Sequence, residues 1–144
     1  MGMIDKKEIR KMLVRTERAR KSVLQPYFAE IGLPLGQGHV RILESLLAAD
    51  HITQKELADR CHVDVTTMSR SLDRLEEAGF LERRRDPGNR RSFLVCLTQS
   101  GVEEAHKVLE ILAELDERIC RDFDAAEMEQ LYRSLEKICR NLEN

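Results

Sequence analysis

The side chains best equipped for chemistry lie between Thr66 and Arg91, and they are hydroxyls and guanidiniums rather than nucleophile–base pairs. Val65, Met68, Leu72 and Leu75 recur at spacings of 3, 4 and 3, one apolar stripe of a helix. At about 100° per residue the opposite face centres on Arg70, with Thr66, Thr67, Asp73, Arg74 and Glu77 around it. Arginine gives a bidentate pair of bonds to guanine, and threonine bonds a base edge or touches a thymine methyl. The same face would also suit a merely solvated helix. The next stretch of the chain weighs against that: five arginines fall between Arg83 and Arg91, with Asp86 the one acid among them. An arginine-tipped ribbon suits the negative potential of a narrow minor groove. Such a tip could also simply protect an edge strand from aggregation, a reading that a preceding helix-turn-helix weighs against.

These side chains need elements to hold them. Thr53-Gln54-Lys55-Glu56 has the form of a capping box, predicting a helix that buries Leu57 and Ala58 and ends near Cys61. Gln54 and Lys55 at its start are placed to meet phosphate. Asp64 offers a second N-cap, and Gly79 stands where a left-handed C-cap residue belongs. Two helices joined by so short a turn are a helix-turn-helix. Phe80–Arg85 and Arg91–Leu97 then flank Asp86-Pro87-Gly88-Asn89, a strong turn tetrad, and predict a hairpin. Arg74, Arg84, Arg85, Arg90 and Arg91 are candidates for backbone or minor-groove contacts.

Thr66 through Thr98, with Asp73-Arg74-Leu75-Glu76-Glu77-Ala78-Gly79-Phe80-Leu81, then basic residues, Asp86, Arg90-Arg91 and Leu97-Thr98, resembles the winged helix-turn-helix of the multiple antibiotic resistance regulator (MarR) family. Asp86 matches the first of two acids usual in that family's wing. Asn89 stands where the second is common, and an amide orients neighbouring arginines less firmly than a charge. The resemblance implies a mainly α fold with a small β wing: residues 1–34 a dimerisation helix and turn, 35–99 the winged part, and 100–144 further dimerisation helices. It implies a homodimer on double-stranded operator DNA, usually a repressor released by a small aromatic or phenolic ligand. The ligand crevice of the family would draw on Arg10, Tyr27, His39 and Arg41 here.

The rest of the chain supplies matching helices. Ile4 to Gln25 reads as one helix with Ile9, Leu13, Val23, Leu24, Tyr27 and Phe28 marking its apolar side, ended or kinked at Pro26. Gly32–Gly36 is a turn, and a helix over 37–49 should bury Val40, Leu43, Leu46 and Leu47. Asp50-His51-Ile52 suits a very short strand supporting the wing. Thr98 caps a long helix carrying Val102, Val108, Leu109, Leu112, Leu115 and Ile119. The last opens at Asp124 with Met128, Leu131, Leu135, Ile138 and Leu142 in a heptad-like seam. Spanning only about two heptads, that seam needs a partner helix, from a second subunit or its own chain.

Net charge is −2, but residues 1–25 carry 8 basic and 3 acidic groups, whereas residues 99–144 carry 6 and 12. Opposed ends suit termini lying side by side, within a chain or across a dimer. No membrane-spanning run or signal peptide is legible, which points to the cytoplasm. The four cysteines, Cys61, Cys96, Cys120 and Cys139, form no CxxC pair and read mostly as packed thiols. His39, His106, Glu30 and Glu103 are the residues to weigh for zinc, with weak ligand spacing. No cofactor motif, phosphate loop or nucleophile elbow occurs, so no enzyme is expected; the alternatives are a metal- or redox-responsive regulator of the same fold and a winged helix that binds protein, which would call for an apolar or acidic face on the second helix.

Overall fold

A computed structural model describes residues 2–31 and 38–144, and its contacts divide the chain into two compact units, Met1–Ile111 and Leu112–Asn144. The turn expected at Gly32–Gly36, and Gln37, lie outside the described residues. The first unit holds α1 (Lys6–Ile31), α2 (His39–Ala48), β1 (Ile52–Thr53), α3 (Gln54–Cys61), α4 (Val65–Glu77), β2 (Leu81–Asp86), β3 (Asn89–Leu97) and the start of α5 (Gln99–Ile119). The second holds the end of α5 and α6 (Ala125–Glu143). The fold is mainly helical, with one three-stranded antiparallel sheet in the order β1-β3-β2. No helix among the described residues is long and apolar enough to cross a membrane.

Several elements begin where the sequence places a cap. Thr53 accepts the Glu56 N–H at 3.1 Å to open α3, and Asp64 accepts that of Thr67 at 2.8 Å to open α4. The expected box at Thr53 is only half made: Glu56 turns to Arg60 at 3.1 Å, while Thr53 is in strand register with Leu94. A complete box instead opens α6, between Asp124 and Glu127. Gly79 ends α4 with φ +84°, a conformation glycine adopts without a Cβ penalty.

Leu24, Phe28, Ile42, Leu43, Leu46, Leu57, Met68, Leu72, Leu75, Leu81 and Val95 form the interior. Three expectations need correction. First, α1 runs through Pro26 to Ile31, so of the two expected outcomes at Pro26, an end or a kink, the end does not occur. Pro26 is exposed, and Leu24 and Phe28 on either side are buried. Burying two large apolar groups, at about 1.5–3 kcal/mol each, offsets the roughly 3 kcal/mol a helical proline costs. Second, α2 buries His39, Ile42, Leu43 and Leu46, leaving Val40 and Leu47 half-buried. The buried stripe thus starts one residue earlier than the leucines alone suggest. Third, Val65, the first residue of α4, is 62% exposed rather than part of the buried stripe, and lines a groove with Gln54, Lys55 and Phe93.

Candidate nucleic-acid interface

The outer face of α4 is built as its periodicity requires. With Met68, Ser71, Leu72 and Leu75 buried, Thr66, Arg70, Asp73, Arg74 and Glu77 are exposed and Thr67 is half-buried. Thr67 is partly committed: its hydroxyl donates to Asp64 Oδ2 at 2.9 Å and its N–H to Oδ1. Those bonds hold the exposed Asp64 carboxyl below its ordinary range. Thr67 keeps its methyl and its lone pairs for another partner, whereas Thr66 and Arg70 make no side-chain bond among the described residues.

A feature that sequence reasoning missed locks the wing to this helix. Arg83 Nη2 donates to Glu76 Oε1 at 2.9 Å and to Asp73 Oδ1, and its backbone N–H donates to Glu76 Oε2 at 3.1 Å. The Glu76 carboxyl is held below its ordinary value, chiefly by the bond from Arg83. Burial works against the Arg83 charge, but the bonds to Glu76 and Asp73 outweigh it and raise its pKa. The available signal is Asp73 and Glu76, one helical turn apart, preceding an arginine in the next strand. Composition alone groups Arg83 with the outward-facing arginines.

The wing sorts its remaining arginines. Arg84 pairs with Glu82, and Arg85 donates to the Arg90 carbonyl at 3.0 Å while lying 5.7 Å from the Phe93 ring centre. Arg85 faces Phe93 and Asp86 faces Asn89, so the register shifts between Arg85 and Asp86 and leaves Arg90, Arg91 and Ser92 out of the ladder. Asp86 accepts the Gly88 N–H at 2.9 Å, and Asn89 accepts that of Arg91 at 3.0 Å. Both therefore shape the turn through the backbone, not through the guanidiniums. Among the described residues Arg70, Arg74, Arg90 and Arg91 make no ion pair, so four exposed cations border α4 and the wing tip. Gln54, Lys55, Val65, Arg91 and Phe93 line a groove of about 210 Å³ that joins the starts of α3 and α4 to the wing.

The model of the MarR family matches residues 35–93. A crystal structure of MarR is 32% identical and superposes with a TM-score of 0.70, covering 94% of this chain and 94% of that one. The chain belongs to the MarR family. The HTH-type transcriptional regulator BilQ of Clostridium symbiosum is 30% identical over 91 residues, 63% of each protein, so the match spans less than two thirds of that relative. A mutant MarR of Escherichia coli complexed with operator DNA is 26% identical, with a TM-score of 0.75 and coverage of 89% of this chain and 91% of that chain.

Within this MarR-family chain the four polar candidates for a ligand crevice have distinct settings. Arg10 is exposed on α1, and His39 is buried in α2. The Tyr27 hydroxyl donates to Glu104 on α5; burial first, then that carboxylate, pushes its pKa up. Arg41 donates to the Cys61 carbonyl at 2.7 Å and ties α2 to α3. The residues weighed for zinc are dispersed in burial, with Glu30, Glu103 and His106 exposed. The close group of ligating side chains among the described residues is instead Asp50, His51 and Cys96. Pairing of β1 with β3 brings it together from positions far apart in the chain, which no local spacing reveals. Cys61 and Cys96 are buried, as expected of packed thiols, whereas on the helices expected to dimerise Cys139 is exposed and Cys120 partly so. On the helices expected to dimerise, Ile9 and Leu13 are exposed on α1, as are Met128, Leu131, Leu135 and Leu142 on α6, with Ile138 partly covered.

Proposed function

We propose that this chain is a sequence-specific, double-stranded DNA-binding transcription regulator acting as a homodimer. The observation carrying the reading is the exposed face of α4. There Thr66 is exposed with no side-chain hydrogen bond, and Arg70 and Arg74 stand without ion-pair partners among the described residues, beside the equally unpaired Arg90 and Arg91 of the wing. Arg83 neutralises Asp73 and Glu76, acids that would otherwise repel phosphate from the same side. On this reading α4 enters the major groove, with Arg70 and Thr66 reading base edges and Thr67 contributing its methyl. Arg74, Gln54 and Lys55 meet the backbone. Arg90 and Arg91 reach the adjacent minor groove, while Arg84 and Arg85 stiffen the ribbon that carries them and add positive potential.

The dimer rests on a different observation: no residue of α6 is buried, although Met128, Leu131, Leu135 and Leu142 form its apolar seam. A second copy would cover that seam and the exposed Ile9 and Leu13 of α1. Two-fold symmetry would then present two recognition helices to a pseudo-palindrome with half-sites about 10 bp apart. Repression, release by a small aromatic or phenolic ligand and a cytoplasmic setting extend the family resemblance. Arg10, Tyr27, His39 and Arg41 are the polar groups assigned to that ligand's crevice.

Two variants test the DNA face. Arg70→Ala should relax base choice at one position by about 1–3 kcal/mol, while Arg90→Ala should weaken all duplexes and lower the salt slope by about 1 per protomer. Unchanged binding by both variants would mean that another surface contacts DNA.

A further inference from the structure

Beyond the DNA-binding reading, the geometry points to a binding site for a divalent ion of the zinc class at the base of the wing, with Asp50, His51 and Cys96 as its ligands. Their ligating atoms lie within 4.8 Å of one another, and the His51 Nδ1 to Asp50 Oδ2 separation is 3.3 Å. Tetrahedral zinc holds nitrogen and oxygen at about 2.0–2.2 Å and sulfur at about 2.3 Å, which puts neighbouring ligands about 3.3–3.7 Å apart. One pair already meets that spacing, and side-chain rotation moving an atom by about 1 Å closes the rest.

The surroundings hold the ligands in place. Asp50 divides its two oxygens: Oδ1 accepts the N–H groups of His51 and Leu97, each at 3.0 Å, leaving Oδ2 to face the imidazole. His51 has φ +61°, costly for a residue other than glycine, and its N–H also reaches the Val95 carbonyl at 3.1 Å. Cys96 is buried, whereas His51 and Asp50 are open to solvent, so an ion would enter from the polar side and meet sulfur last. Glu82 lies directly across the ladder from Cys96 and brings a second carboxylate, balanced for now by Arg84. Binding exchanges the Cys96 S–H proton, released to solvent, for the metal–sulfur bond. The complex would tie the chain entering β1 to β3, the strand that carries Arg90 and Arg91.

Cobalt(II), which reports thiolate ligation by colour, is the probe, titrated into full-length, chelator-treated protein without DNA. This readout is independent of operator binding. One equivalent per chain should raise a sulfur-to-cobalt charge-transfer band and visible bands of tetrahedral intensity, both lost on adding zinc. Cys96→Ala should abolish the charge-transfer band and Cys61→Ser should keep it. His51→Ala, at an exposed position that leaves the core intact, should weaken binding by more than the roughly tenfold that loss of an outer partner causes. No charge-transfer band in the parent protein, its survival in Cys96→Ala, or unchanged affinity in His51→Ala would each overturn the assignment.

Discussion

Replacing Arg83 with alanine isolates the link between recognition helix and wing. The Arg83 side chain is only 20% exposed, but Glu76 and Asp73 are 39% and 54% exposed, so solvent screens both pairs. Exposed ion pairs contribute about 0.2–1 kcal/mol each, and bonds to charged groups about 1.5–3 when shielded. Between those limits, and with Asp73 the weaker partner, the variant should lose about 1–2 kcal/mol. At roughly 4 °C per kcal/mol for a chain of this size, Tm should fall by about 4–8 °C. The wing must then be ordered on binding, so affinity should drop several-fold on every duplex without a change in base preference. Arg83→Lys keeps the charge without the fork and should recover part of the loss. A double-mutant cycle with Glu76→Ala, read by denaturant unfolding, should give a coupling of about 1 kcal/mol. The Arg83 backbone bond to Glu76 survives in Arg83→Ala but not in Glu76→Ala, so the second variant should be the less stable. Additivity within about 0.3 kcal/mol, together with unchanged affinity, would refute the clamp.

The same pair sets an acid limb of stability. Glu76 titrates below its ordinary 4.5 when folded, so its contribution is complete above that value and is lost as pH falls through the folded pKa. Urea midpoints measured from pH 7 to pH 3 should fall less steeply in Arg83→Ala than in the parent. Gly101→Ala tests the seat of α5: an added Cβ would lie 1.7 Å from the Phe80 carbonyl oxygen, a backbone atom. It should cost about 3 kcal/mol or more in a thermal melt, whereas Gly88→Ala, with its nearest atom at 3.5 Å, should stay within about 0.5 kcal/mol. Leu135→Asp places a charge in the α6 seam and should convert the proposed dimer to monomer in sedimentation. A dimer of unaltered stability would remove α6 from the interface.

The sequence disclosed what rests on local chemistry and left implicit what rests on strand pairing. Asp64, Gly79 and Asp124 mark helix ends because caps act within four residues, and each does so in the structure. The stripe Met68, Leu72, Leu75 fixes which side of α4 faces out, so Thr66, Arg70 and Arg74 were legible as a set. Val65 was not, since periodicity cannot tell where along a helix its cover stops. Pro26 does not end α1 because the burial that outweighs it, by Leu24 and Phe28, is tertiary. Arg83 was indistinguishable from Arg84 and Arg85 in composition; only the packing of β2 against α4 turns it inward to Glu76. Asp50 and Cys96 likewise meet only through the sheet. Arg90 and Arg91 stand free of the ladder because the register shifts at Arg85, a property of two strands together.

The most direct measurement is fluorescence anisotropy with the DNA immediately upstream of the gene, titrated across salt concentrations against a scrambled duplex of equal length. A specific regulator should bind tightly, weaken steeply with salt, prefer the native duplex, and lose that preference in Arg70→Ala. Absence of binding to either duplex at low salt would contradict the DNA-binding role of α4 and the wing.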